Sequence, residues 1–145
     1  MMKVSEAMTK DLVTLSSEST VLQAVKTMIS KNVSSIIVIH EDELKGIITM
    51  RDILARVVAN KKNPETTKLK DAMSTPLITI NQNADLIEGT RLAVKNRIRR
   101  LAVINDEGKL VGIITSDDVA RDLQRAAEEL ALTYHLMSKR AGTRA

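Results

Sequence analysis

The sequence predicts a mixed α/β (α+β) fold: two tandem β-α-β-β-α units followed by a helical extension. Three observations carry this expectation. Residues 4–43 align with 69–108 at an offset of 65, and residues 44–57 with 110–123 at an offset of 66, Lys109 being the extra residue, in a turn. Within each copy the apolar pattern alternates between short β-branched runs and stripes at helical spacing. Each copy also closes on the same box, Gly46-Ile47-Ile48-Thr49-Met50-Arg51-Asp52 and Gly112-Ile113-Ile114-Thr115-Ser116-Asp117-Asp118. A duplication of this length reads as two copies of one supersecondary unit, each covering a face that the other exposes.

The elements follow in order. Val4–Met8 and Leu69–Met73 are short amphipathic lead-ins. Leu12–Leu15 and Leu77–Ile80 read as short strands, the second opened by Pro76. After the polar caps Ser16–Thr20 and Asn81–Asp85, the stripe Val21, Leu22, Val25, Met28, Ile29 predicts a helix with one buried face; Leu86, Ile87, Thr90, Ala93, Val94 repeats it. Ile36–Ile39 and Leu101–Ile104 are too short and too β-branched for buried helices, so they are strands. Acidic turns join them to Leu44–Ile48 and Leu110–Ile114 as hairpin partners. Helices begin at Met50 and Ser116. The polar, Pro-containing stretch after Asn60 is the linker. The expected division is therefore 1–60, linker 61–68, 69–125, and a C-terminal helix and tail over 126–145. The apolar stripe through Leu123, Ala127, Leu130 and Tyr134 runs past the repeat and needs a partner, in cis or in a second subunit.

Composition narrows the function classes. A chain of 145 residues buries roughly 68–70% of its unfolded surface. There is no Cys, so disulfides, thiolate metal sites and a cysteine nucleophile are excluded, and His40 and His135 are too few for a metal cluster. No apolar run approaches the roughly 20 residues of a membrane span and no signal peptide is predicted, so a cytoplasmic protein is expected. The net charge of +4, from 22 basic and 18 acidic residues, is mild for a nucleic-acid binder; with no Phe or Trp and one Tyr, stacking platforms for single strands are lacking. A pI near 9.5 and the basic C-terminal half keep a nucleic-acid-associated role as an alternative.

The doubled box has two readings. Thr at N-cap with an acid at N3 is a capping box, although Glu or Gln is the usual acid. Alternatively, Thr and Asp three residues apart share the first-turn face where free N–H groups and the helix dipole attract phosphate or hydroxyl-rich ligands. No catalytic constellation accompanies them. Asp117 beside Asp118 suits a helix N-terminus, and Ser116 has neither a His base nor an elbow motif, so no enzyme activity is expected.

A β-α-β-β-α unit in tandem, closed twice by Gly-h-h-Thr-x-x-Asp, resembles a pair of cystathionine-β-synthase (CBS) domains over about residues 4–125. The resemblance implies two units packed with pseudo-two-fold symmetry, and two clefts that take adenosine-containing ligands (AMP, ADP, ATP or S-adenosylmethionine) for regulation without turnover. It also implies a homodimer, and signalling through conformation or an unidentified protein partner. Carried over by position, the first cleft would use Thr49 and Asp52, with Leu77, Ile78 and Ile98 around the base and Arg99 and Arg100 on phosphates. A carboxylate suits ribose hydroxyls because it only accepts, and guanidinium suits phosphate because it stays charged and forked. The second would use Thr115 and Asp118 with Leu12, Val13 and Val33; Ser34 and Ser35 stand where the basic pair would be, with Arg51 as a compensating cation. The first cleft is thus expected to be the better phosphate site.

Overall fold

The computed structural model of the chain describes residues 2–142. The first unit contains α1 (Val4–Ala7), β1 (Thr14–Ser16), α2 (Val21–Lys31), β2 (Ser35–His40), β3 (Glu43–Thr49) and α3 (Met50–Asp52), which continues as π-helical turns over Ile53–Val58. The second repeats it with α4 (Leu69–Ala72), β4 (Thr79–Asn81), α5 (Leu86–Lys95), β5 (Arg100–Ile104), β6 (Leu110–Thr115) and α6 (Ser116–Gly142). Each unit has a three-stranded sheet, β1-β2-β3 and β4-β5-β6, in which the first pair is parallel and the second antiparallel.

Local chemistry explains most boundaries. Thr20 caps α2 through a closed box with Gln23, and Asn32 ends the helix in the left-handed region at φ 53°. Asp85, in the matching place before α5, makes no cap because its carboxylate holds Lys3 at 3.1 Å. The extra residue of the second copy lies in the β5–β6 turn, where Gly108 adopts φ 77° and Asn105 and Lys109 are bonded. β1 and β4 start two residues later than the apolar runs suggest. Even so, the Val13 and Ile78 carbonyls still accept from Ile37 and Ala102, so the backbone is paired ahead of the regular ladder.

The two cores exchange their lead-ins. Leu69 and Ala72 of α4 are buried with Val21, Met28, Ile36 and Ile48 of the first unit. Val4 and Ala7 of α1 are buried with Leu101, Val103 and Ile114 of the second. The backbone records the same swap: Thr9 bridges Ile113 while Ser74 bridges Ile47, and Lys3 bridges Asp85 while Lys68 bridges Thr20. In each case residue i meets j in one half and their counterparts meet in the other, which is the signature of a two-fold relation. The core of the first unit is consequently completed by Leu69 and Ala72 from the second half. The linker delivers α4 back onto the first half.

Gly46 and Gly112 are fixed by this swap. A Cβ on Gly46 would lie 2.5 Å from the Ser74 carbonyl oxygen, and one on Gly112 would lie 2.5 Å from Met8 Sδ. Only a residue without a side chain lets the opposite lead-in approach so closely. Beyond Asp122, α6 leaves the body: Leu123 to Arg140 are all exposed, including Leu130, Tyr134 and Met137. Its stripe finds no cover in cis among the described residues.

Candidate functional site

Both Thr-x-x-Asp boxes close as caps. Asp52 N–H donates to Thr49 Oγ1 at 3.2 Å, and Thr49 N–H donates to Asp52 Oδ2 at 2.9 Å. Thr115 and Asp118 repeat these bonds at 3.2 and 2.9 Å. One oxygen of each carboxylate is therefore committed to the helix start.

The other oxygen faces the exchanged lead-in. Asp52 Oδ1 accepts from the Ser74 hydroxyl at 2.8 Å, with Arg56 Nη1 at 3.9 Å. Asp118 Oδ1 accepts from the Thr9 hydroxyl at 3.2 Å, with Arg121 Nη1 at 3.5 Å. Both acids are buried, Asp52 at 8% exposure and Asp118 at 3%. Each Oδ1 holds one hydroxyl donor and has room for a second. Sequence reasoning did not single out Ser74, Thr9, Arg56 or Arg121. The signal was present for the hydroxyls, because Thr9 and Ser74 follow the identical pair Ala-Met at matched positions of the repeat.

Around Asp118 the two units enclose a polar crevice of about 340 Å³. Val33, Ser34 and Ser35 come from the first unit; Thr115, Asp118 and Arg121 come from the second, with Arg99 and Arg100 also on its wall. Arg100 Nη2 donates to Ser34 Oγ across the crevice at 3.0 Å. Arg100 is half-buried: burial, and secondly Arg99, lower its pKa below the ordinary arginine value, while Asp117 and Asp52 act in the opposite direction.

Of the residues expected in the second cleft, Val33, Ser34, Ser35, Thr115 and Asp118 are brought together here. Leu12 is half-buried, Val13 packs on the first core, and Arg51 is exposed. The pair expected on the first cleft is placed differently. Arg99 lies against the start of its own unit's α6, where its carbonyl accepts from Ser116 N–H at 3.0 Å and its Nε approaches Ser116 Oγ at 3.4 Å. Arg99 thus lines the Thr115/Asp118 crevice. Arg100 stands between the two, bonded to Ser34 and within electrostatic reach of Asp52. Ile78 and Ile98 pack against the second core, and Leu77 is half-buried. Around Thr49 and Asp52 stand Ser74 and Arg56.

Among the described residues there is no group of three His, Asp or Glu side chains placed to hold a metal ion, and no helix long and apolar enough to cross a membrane.

Comparison with known proteins gives a consistent family. The CBS domain profile matches residues 4–59 and 69–125. An uncharacterised protein of Methanopyrus kandleri is 37% identical over 117 residues, which cover 80% of this chain and 60% of that protein. Inosine-5'-monophosphate dehydrogenase of Methanocaldococcus jannaschii is 35% identical over 82% of this chain but only 23% of its own length. The chain thus spans about 60% of the first relative and under a quarter of the second. Among solved structures, a CBS domain protein of Pyrobaculum aerophilum complexed with AMP superposes with a TM-score of 0.73 at 22% identity, covering 81% of this chain and 89% of that one.

Proposed function

The chain belongs to the CBS domain family, and from that premise we propose that it is a regulatory ligand-binding module that takes an adenosine nucleotide of the AMP, ADP or ATP class between its two units. The observation that carries this reading is the crevice at Asp118, where a buried acceptor and three arginines, Arg99, Arg100 and Arg121, line one cavity of about 340 Å³. Ribose hydroxyls would bond Asp118 Oδ1 beside Thr9, the base would lie along Val33, and phosphates would meet the guanidinium groups. The polar groups around Thr49 and Asp52, with Arg56 beside them and Arg100 within electrostatic reach, offer a second place for the same chemistry.

A phosphate-bearing ligand that bonds Arg100 would compete for the contact with Ser34 and so alter how the two units lean on each other. Binding shifts such an equilibrium only by its differential affinity for the two arrangements. The AMP complex of the Pyrobaculum relative supports the nucleotide class. The uncovered α6 stripe supports a homodimer built on that helix: Leu130→Glu with Met137→Glu should convert a dimer to monomer in sedimentation velocity.

Isothermal titration calorimetry with AMP, ADP, ATP and S-adenosylmethionine tests the ligand. Asp118→Ala should weaken the preferred nucleotide by about tenfold or more, and Asp52→Ala by less. No heat from any of the four at millimolar concentration ends the proposal.

A further inference from the structure

The two units are not filled alike. On the helix side of the second sheet, between α5 and α6, lies an apolar cavity of about 180 Å³. Its walls include Gly89 and Ala93 of α5, Leu101 and Ile114 of the sheet, and Val119 of α6. At the matched positions of the first unit stand Ala24 for Gly89, Met28 for Ala93 and Ile53 for Val119, all three buried in the first core. The helix-borne walls of the second unit thus carry smaller residues at three places whose counterparts in the first unit are buried in its core. Leu86 and Ile98, each one carbon larger than Val21 and Val33, leave the space open. Atoms lining such a space have forfeited their contact partners, and an occupant would restore them.

The mouth is not apolar throughout. Arg99 and Ser116 border it, and Ser116 replaces the Met50 of the first unit. The Thr90 hydroxyl is already bonded to the Leu86 carbonyl at 3.1 Å, so the donors left at the rim belong to Arg99 and Ser116. A cavity of about 150 Å³ admits one benzene, so this one has room for roughly six to eight carbon atoms.

We propose that this cavity is a second binding site, adjoining the nucleotide crevice at Arg99, for a small amphiphilic anion whose apolar body fills the space beside Ala93 and whose carboxylate sits on Arg99. Its apolar body rests on Ala93 and the helix side of the sheet, which the crevice does not use, so a variant at Ala93 tests it apart from the nucleotide reading.

The test is calorimetry on the full chain with hexanoate, octanoate and 1-hexanol. Hexanoate and octanoate should bind saturably, one per chain, and 1-hexanol about tenfold more weakly than hexanoate, since it offers Arg99 no charge. Ala93→Met, which installs the first unit's residue, should reduce octanoate affinity at least about tenfold while leaving the response to ATP unchanged; Val119→Ile should act in the same direction and serves if Ala93→Met fails to fold. Unchanged octanoate affinity in the folded variants would overturn the site. Equal affinity for hexanoate and 1-hexanol would overturn the anion class. Octanoate binding that appears only on dissociation of a dimer would assign the space to a side chain of a second copy and overturn the proposal as well.

Discussion

The Ser74 hydroxyl lies 2.8 Å from Asp52 Oδ1, and Thr9 repeats the contact on Asp118 at 3.2 Å. Each candidate acid is therefore held from both sides, by its own helix start and by the lead-in of the other half. Ser74→Ala leaves a buried carboxylate oxygen short of a donor and should lower stability by about 1–3 kcal/mol. Ser74→Thr, which copies the second half, should restore most of it. Urea unfolding monitored by circular dichroism reads both, and equal stability of Ser74→Ala and wild type would show that the contact is idle.

Gly46→Ala and Gly112→Ala should differ in a fixed order. The new methyl at position 46 meets a backbone carbonyl oxygen at 2.5 Å, which cannot move without shifting α4. At position 112 the nearest atom is the end of the flexible Met8 side chain, with the Thr9 carbonyl further off at 3.1 Å. Overpacking against backbone should cost about 3 kcal/mol at Gly46 and about 1–2 kcal/mol at Gly112. A reversed order in thermal melts contradicts the exchanged packing.

Gly89→Ala should stabilise. Its Cβ would meet Ile80, Val4 and Leu101 side chains at 3.4 to 3.8 Å, which is ordinary contact, at a mid-helix position. Removing the backbone freedom of glycine there is worth about 0.5–1 kcal/mol. A lower melting temperature for this variant would mean that α5 sits too close to Ile80 and Leu101 to admit the methyl.

Glu18 ties the second lead-in to the first unit, with Lys68 at 2.6 Å and Lys70 at 2.9 Å. Hydrogen bonds from Lys68 and then Lys70 hold its carboxyl at about 2, against 4.5 for an unperturbed glutamate. A carboxyl whose folded pKa is depressed stabilises fully above its unfolded pKa and loses that contribution as pH falls through the folded one. The difference in urea midpoint between wild type and Glu18→Gln should therefore be constant above pH 5 and shrink between about pH 4.5 and 2. It should also shrink with added salt, because all three groups face water. A difference that grows on acidification would contradict the pairing.

The sequence alone determined the duplication, the β-α-β-β-α order, the two hairpins and the Thr-x-x-Asp boxes. These depend on spacing between near neighbours, which periodicity and turn chemistry reveal directly. It also located Val33, Ser34, Ser35, Thr115 and Asp118 in one crevice, through the family resemblance. Only the tertiary structure decided that α1 and α4 change places, that Gly46 and Gly112 exist for those crossings, and that Arg99 turns to the crevice of its own unit's Asp118. Those outcomes hinge on contacts between residues as far apart as Thr9 and Asp118, 109 positions in the chain. A local pattern constrains which face a side chain presents, but the neighbour that meets that face is fixed only when the chain closes on itself.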